Sequence, residues 1–246
     1  MCDKFYTKQE IAQLCFGHVE PFLKHDDIII EPSAGDGSFM RCFGSRKSFC
    51  IDIAPDHPSI TQGDFLTMEC PKNSVCIGNP PFGRQSSLAK KFIRHACSFA
   101  RLVAFVLPKS FKKESMNGCF DDHFHCVLQM DLPKDSFYVP GVQSYDVPCV
   151  FQIWEKRTER RERSERLEPQ GWSFVRKDQN PTCAFRRVGV NAGTISFFID
   201  DKSPQSHYFL QIPHDMITVL QNHIWEFENT VGPRSISKQE IIRVLQ

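Results

Sequence analysis

In the first 155 residues, continuous apolar runs alternate with stretches of helical periodicity. Residues 27–31, 48–53, 75–77 and 102–107 are short and apolar, rich in Ile, Val and Phe. That is the pattern of strands buried on both faces. Between them, Ile11, Leu14, Cys15, His18 and Val19 recur at helical spacing, and so do Leu88, Ala89, Phe92, Ile93, Ala96 and Phe99, with Lys90, Lys91 and Arg94 opposite. Thr7-Lys8-Gln9-Glu10 has the form of a capping box, which predicts a helix opening at Thr7 as N-cap and ending near Pro21. A further helix is expected from the glycines at 35 and 37 to about residue 43. Residues 126–132 and 147–154 read as a closing strand pair, joined by a loop over 137–144. Strand–helix alternation over 27–125 predicts a doubly wound α/β sheet of mainly parallel strands, and the closing pair adds one antiparallel strand.

Beyond residue 156 the pattern changes. Residues 157–166 (Arg-Thr-Glu-Arg-Arg-Glu-Arg-Ser-Glu-Arg) alternate in charge and read as a solvated linker. Strands are expected over 172–177, 184–188, 195–199 and 207–212, several of them interleaving aromatic and basic residues. Helices are expected over 217–227 and 237–245, the second opened by a Ser237/Glu240 capping box. The domain reading is therefore 1–156, a linker at 157–166, and a small α+β extension at 167–246.

Composition narrows the classes. A net charge of +1 over 246 residues excludes coating nucleic acid by bulk charge, so any such contact needs a local basic surface. The 11 Cys include no Cys-x-x-Cys pair and read as reduced thiols of a cytosolic-type compartment. Residues 121–126 hold acids, His and Cys, but no second ligand cluster follows, so no metal is expected. With no long apolar run and no signal-peptide pattern, the expectation is a cytoplasmic protein that is neither membrane-bound nor secreted.

Two stretches carry candidate chemistry. The run 75–77 ends in Gly78-Asn79-Pro80-Pro81-Phe82-Gly83. Two prolines stiffen this strand end and cannot donate, so it presents the Asn79 amide and the Phe82 ring. Asn79 Oδ1 and the Pro80 carbonyl can each accept from an amine, while Phe82 stacks on a flat ring. Upstream, Glu31-Pro32-Ser33-Ala34-Gly35-Asp36-Gly37-Ser38-Phe39 turns tightly after a strand; no Lys follows its glycines, so it is not a P-loop. Asp52 ends the next strand about 20 positions after Glu31, the offset of a ribose-binding carboxylate.

Asn79-Pro80-Pro81-Phe82 resembles the catalytic motif of S-adenosylmethionine-dependent amino-methyltransferases, chiefly the N6-adenine enzymes, and residues 31–39 resemble their cofactor motif. The resemblance covers residues 5–155. It implies a Rossmann-like class I methyltransferase fold with a seven-stranded sheet. It further implies that S-adenosylmethionine is held by Tyr6, Thr7, Glu31, Pro32, Ser33, Ala34, Gly35, Gly37, Asp52, Ile53, Asp64, Phe65 and Asn79. The catalytic residues it implies are Asn79, Pro80, Pro81 and Phe82, with DNA or RNA as substrate. Cytosine N4, guanine N2 in RNA or a protein glutamine remain alternative amines, and a non-catalytic nucleic-acid-binding partner is an alternative role. Oligomeric state is left open, and residues 167–246 resemble no recognition domain.

Overall fold

The structure, a computed structural model, describes residues 5–139, 147–162, 166–227 and 234–246. They divide into two units, Met1–Glu162 and Arg163–Gln246. The division falls six residues beyond the expected boundary, inside the charged run. Arg161 explains this. Its backbone N–H donates to Asp122, its guanidinium donates to the carbonyls of Phe124 and Asn117, and it lies 5.1 Å over the Trp154 ring. Residues 157–161 thus belong to the first unit; residues 163–165 of the linker lie outside the described residues.

The first unit runs β1 (Tyr6–Thr7), α1 (Gln9–Val19), β2 (Ile29–Glu31), β3 (Ser48–Asp52), β4 (Thr61–Gln62), β5 (Val75–Gly78), α2 (Ser87–Cys97), β6 (Leu102–Pro108), β7 (Phe124–Asp131), β8 (Phe137–Tyr138) and β9 (Cys149–Lys156). Seven strands form one sheet in the order β4-β3-β2-β5-β6-β9-β7. All are parallel except β9, which is antiparallel to both neighbours. Counted along the chain this is 3-2-1-4-5-7-6, the Rossmann-like order of the class I methyltransferase fold.

Both sheet faces are covered. Leu102, Ala104 and Val106 join α1's Ala12, Cys15, Phe16 and Val19 in one core layer. Val103, Phe105 and Leu107 join α2's Ala89, Phe92, Ile93 and Ala96 in the other. Burial on two faces is why the β6 stretch is apolar at every position.

The N-terminus departs from expectation. Thr7 is not an N-cap: the cap position is Lys8, which makes no side-chain capping bond. The chain stays extended through Lys8 because β1 pairs antiparallel with β8 and the Lys8 N–H donates to Ser136 O at 3.0 Å. On α1 the buried stripe is Ile11, Ala12, Cys15, Phe16 and Val19, with Leu14 exposed. The helix expected before residue 43 is a single 3-10 turn, Met40–Cys42. Of the expected 137–144 loop, Phe137–Tyr138 is a strand and 140–144 lie outside the described residues.

The second unit is a four-stranded antiparallel sheet with two helices. Its elements are β10 (Ser173–Val175), β11 (Cys183–Arg186), β12 (Ile195–Ser196), β13 (His207–Gln211), α3 (His214–Asn222) and α4 (Lys238–Val244), with sheet order β10-β13-β11-β12. Phe185, Leu210, Ile212, Ile217, Leu220, Ile241 and Ile242 form its core. α3 starts and stops earlier than expected: Pro213, with its fixed φ, precedes it, and His223 is already extended. The Ser237/Glu240 capping box forms in both directions. No helix of the described residues is long and apolar enough to cross a membrane.

One ion pair anchors the lower edge of the first unit. Arg101, at the start of β6, holds both oxygens of Asp27 and donates to Phe22 O. Burial would raise the Asp27 carboxyl, but its bonds to the Arg101 guanidinium outweigh that and lower it. Arg101→Ala leaves the Asp27 carboxylate, in a partly buried place, with only the Lys24 N–H as a hydrogen-bond partner, and is expected to cost about 1–3 kcal/mol at neutral pH. Because the native pKa is depressed, the wild-type advantage is complete above the usual carboxylate range and fades as pH falls through the native value. Urea unfolding at a series of pH values checks this; a pH-independent difference would contradict it.

Candidate active site

β2 and β5 are neighbours, with β3 beyond one and β6 beyond the other, so the winding direction reverses between them. Open α/β sheets bind ligands at the carboxyl ends of strands at such a switch point. Here β2 delivers Glu31 to Gly37 and β5 delivers Gly78 to Phe82. The Ser33 hydroxyl donates to Asn79 O at 2.8 Å and ties the two loops together. Gly78 sits at φ 155°, and a Cβ there would lie 3.4 Å from both Glu31 Cγ and Pro32 Cδ. The Gly78 backbone therefore packs against the Glu31 and Pro32 side chains.

Asn79 has a defined orientation. Its Nδ2 donates to Thr7 Oγ1 at 3.1 Å and to Phe5 O at 3.4 Å. A backbone carbonyl only accepts, so the NH2 must face Phe5, and Oδ1 faces the other way. That Oδ1 is buried and has no hydrogen-bond partner. An amide oxygen left bare costs free energy unless a ligand donor completes it. Pro80 is buried, Pro81 and Phe82 are half-buried, and the Phe82 ring rests on the α1-side core layer. The Phe82 carbonyl accepts from Leu88 and Ala89, which seats the turn on the start of α2.

The glycine turn is closed by residues from elsewhere in the chain. Gly35 has φ 54°, and a Cβ there would meet the Tyr6 ring at 2.9 Å. Tyr6 hydrogen-bonds Asp56 through its hydroxyl and packs 5.3 Å from the Tyr138 ring. Tyr138 in turn donates to Asp36 Oδ2 at 2.7 Å. The β1–β8 ribbon therefore lies over the turn, fastened at both tyrosines. Asp36 lies within the glycine turn quoted from the sequence and Tyr138 within the expected 137–144 loop, but neither was given a role, and Asp56 was not singled out. No local pattern marks these contacts, which join residues 50 to 132 positions apart.

Asp52 accepts from Gly35 N at 2.8 Å through Oδ2 and from Ala54 N at 2.9 Å through Oδ1. Each oxygen keeps a further lone pair for a ligand hydroxyl. Ile53 beside it is 68% exposed, an apolar surface open to a flat ring. Ala34 is buried on the α1-side core layer. Asp64 is exposed; its Oδ1 caps Leu66 N at 3.0 Å. Phe65 is placed differently from the rest: its ring is buried among Phe92, His95 and Phe99. It is a core residue that can reach a ligand only through its backbone.

Glu31 is 1% exposed, and its Oε2 has no partner. Burial pushes its carboxyl well above the usual range; a bond with the Cys50 thiol works the other way, and the nearby Asp36 carboxylate adds to the rise. At these strand ends Asp52 and Asp64 present carboxylates and Ile53 an apolar ledge, while Glu31 and the Asn79 Oδ1 are enclosed. Carboxylates beside an apolar ledge fit a ligand bearing hydroxyls, an amine and a flat ring. Among the described residues no group of three or more His, Cys, Asp or Glu is placed to hold a metal ion.

No family model matches the chain. No curated protein matches it either. Solved structures resemble its chain path. A Pyrococcus horikoshii protein assigned as an RNA methyltransferase is 12% identical, with a TM-score of 0.48 over 63% of this chain and 87% of that one. Thermoplasma acidophilum 1320 is 14% identical, with a TM-score of 0.48 over 62% and 89%. The type I restriction-modification system methyltransferase subunit of Streptococcus thermophilus is 15% identical, with a TM-score of 0.46 over 64% of this chain and 46% of that subunit. These likenesses concern fold and pass no residue role or substrate to this chain.

Glu31 yields a test. In the ligand-free native state it holds its proton, while the unfolded chain releases it above the ordinary value of 4.5. Rising pH therefore favours unfolding until the native pKa is passed. Relative to wild type, Glu31→Gln is expected to gain melting temperature steadily as pH rises from 4.5. A gap that stays constant with pH, by calorimetry, would show that Glu31 ionises as readily in the native state as in the unfolded chain.

Proposed function

We propose that this chain transfers the methyl group of S-adenosylmethionine to an exocyclic amine of a nucleobase in DNA or RNA, adenine N6 foremost. The observation that carries this reading is the buried, unpartnered Asn79 Oδ1, aimed away from an NH2 group that Thr7 and Phe5 hold in place. When bound, S-adenosylmethionine supplies an electrophilic methyl on a sulfonium. Asp52 would accept from its ribose hydroxyls, Asp64 from its adenine amine, and Ile53 would bear its ring. Glu31, Pro32, Ser33, Ala34, Gly35, Gly37, Tyr6 and Thr7 would surround its methionine end.

An adenine amine is a weak nucleophile because its lone pair is delocalised into the ring. Asn79 Oδ1 and the Pro80 carbonyl would each accept one N–H, draw the nitrogen towards tetrahedral geometry and localise that lone pair. They also take up positive charge as the N–C bond forms and the C–S bond breaks. The surplus proton then leaves to water. Positioning supplies much of the remaining acceleration. A base in a duplex must first be flipped out, at about a few kcal/mol, and Phe82 would recover part of that by stacking. Supporting a polyanion, the loops at this edge carry Arg84, Lys109 and Lys112. Asp131, at the end of β7, pairs with both Lys109 and Lys112, at 3.7 and 3.2 Å, so one carboxylate serves two cations.

The test uses purified protein, radiolabelled S-adenosylmethionine and separate pools of DNA, RNA and protein, with the product digested and identified. N6-methyladenine is expected, and Asn79→Ala should lower its formation about 100-fold or more, a larger loss than any fall in cofactor affinity. Thr7→Val, which releases the amide, should lower kcat more than it raises KM. Label on another base or in protein would move the substrate. Cofactor binding without transfer to any pool would sink the catalytic reading and favour a binding partner.

A further inference from the structure

The second unit has a cavity of its own. β10 pairs with β13 only as far as Val175↔Phe209. Beyond that pair the two chains part, and the space between the Arg176–Asp178 turn and residues 204–208 is an open groove of about 730 Å³. Its walls include Phe174, Arg176, Lys177, His207, Tyr208 and Lys238. Volumes of this order hold a nucleotide-sized ligand.

The aromatic and cationic groups are interleaved. Lys238 Nζ lies 4.5 Å from the Phe174 ring centre and 5.8 Å from that of Tyr208. The Arg187 guanidinium lies 5.2 Å over Tyr208. Phe174 and Tyr208 meet edge to face at 5.5 Å and are both half-buried, so each ring keeps an accessible part. The groove holds one carboxylate, Asp178, and Arg176 is paired with it at 3.3 Å. Lys177 donates to the Asp200 backbone carbonyl. Lys238 is exposed and forms no ion pair with a carboxylate among the described residues. His207 is held below its usual pKa, by burial first, and adds no charge at neutral pH. The wall is therefore positive and its floor aromatic.

We propose that this groove binds single-stranded nucleic acid, with a base against Phe174 and Tyr208 and the flanking phosphates on Lys177 and Lys238. Rings give sequence-tolerant stacking and the cations track the backbone. An acidic peptide would match the charge but leave the ring surfaces without a flat partner. The inference rests on the second unit's own residues. It goes beyond the transfer chemistry and adds a place where the polymer is gripped apart from the reacting base.

The full chain is titrated into fluorescein-labelled oligo-dT and oligo-rU of about 12 nucleotides, and anisotropy is read across a salt series. Lys238→Glu is the main variant. It lies in the first turn of α4, where a carboxylate is favourable to the helix, so its effect is not unfolding. It should weaken binding about tenfold and lower the salt slope by about one or more. Tyr208→Ala should weaken binding about tenfold with the salt slope unchanged. S-adenosylmethionine binding should stay at its wild-type value in both. Wild-type affinity for oligonucleotides in Lys238→Glu would overturn the proposal. So would binding of a fluorescein-labelled poly-glutamate peptide by a chain that shows no measurable oligonucleotide binding. Groove-dependent oligonucleotide binding by a chain that methylates nothing would support this inference while removing the catalytic one, so the two failures are distinct.

Discussion

The hydrogen bond from Ser33 Oγ to Asn79 O, 2.8 Å long, is the tie on which the candidate site depends. It joins loops that leave adjacent parallel strands separated by more than 40 positions in the chain. Without that tie and the glycine at 78, the acidic turn and the Asn-Pro-Pro-Phe turn would leave the sheet as independent loops. With them, an acceptor set and an amide share one crevice. The tie is possible only because the sheet reverses its winding there, so that no crossing connection fills the space.

The polar groups at this crevice are arranged at a cost to the ligand-free protein. Glu31 is buried with a carboxyl oxygen unpaired, and Asn79 has its amide oxygen bare. Each is destabilising alone. Both lie in the same pair of loops, next to a fully apolar core that stabilises the sheet from both faces. A stable scaffold can carry such groups, and their closeness at these two strand ends supports the reading proposed for them.

The second unit solves a different problem. A four-stranded sheet with two short helices has little apolar area to bury, and its aromatic side chains serve two ends. Phe185 is wholly buried and builds the core. Phe174 and Tyr208 lie at its margin under cations. The alternation of aromatic and basic residues, visible along the chain, reflects both roles. Phe185 and Tyr208 are cross-strand partners on β11 and β13, and because β10 stops at Val175, Tyr208 has no strand on its other side.

The sequence by itself determined the doubly wound sheet. Strands buried on both faces must be apolar, so β2, β5 and β6 were legible, as were α2 and the Ser237/Glu240 cap; β3 was legible too, although one face leaves Phe49 exposed. It also marked the strand ends that carry the polar turns, because glycine and proline punctuate them. Tertiary structure decided what depends on distant pairing. Thr7 has the look of an N-cap, yet it joins a ribbon with Phe137–Tyr138 and spends its hydroxyl on Asn79. Phe65 stands beside a polar loop residue, yet packs into the core. Tyr138 and Asp56 reach the glycine turn only through contacts across the fold. The two-residue strand β4 carries no apolar signal, being exposed at the sheet edge. Periodicity records burial, which is a local demand on each residue. It does not record which distant loops will meet, and the site is made of those meetings.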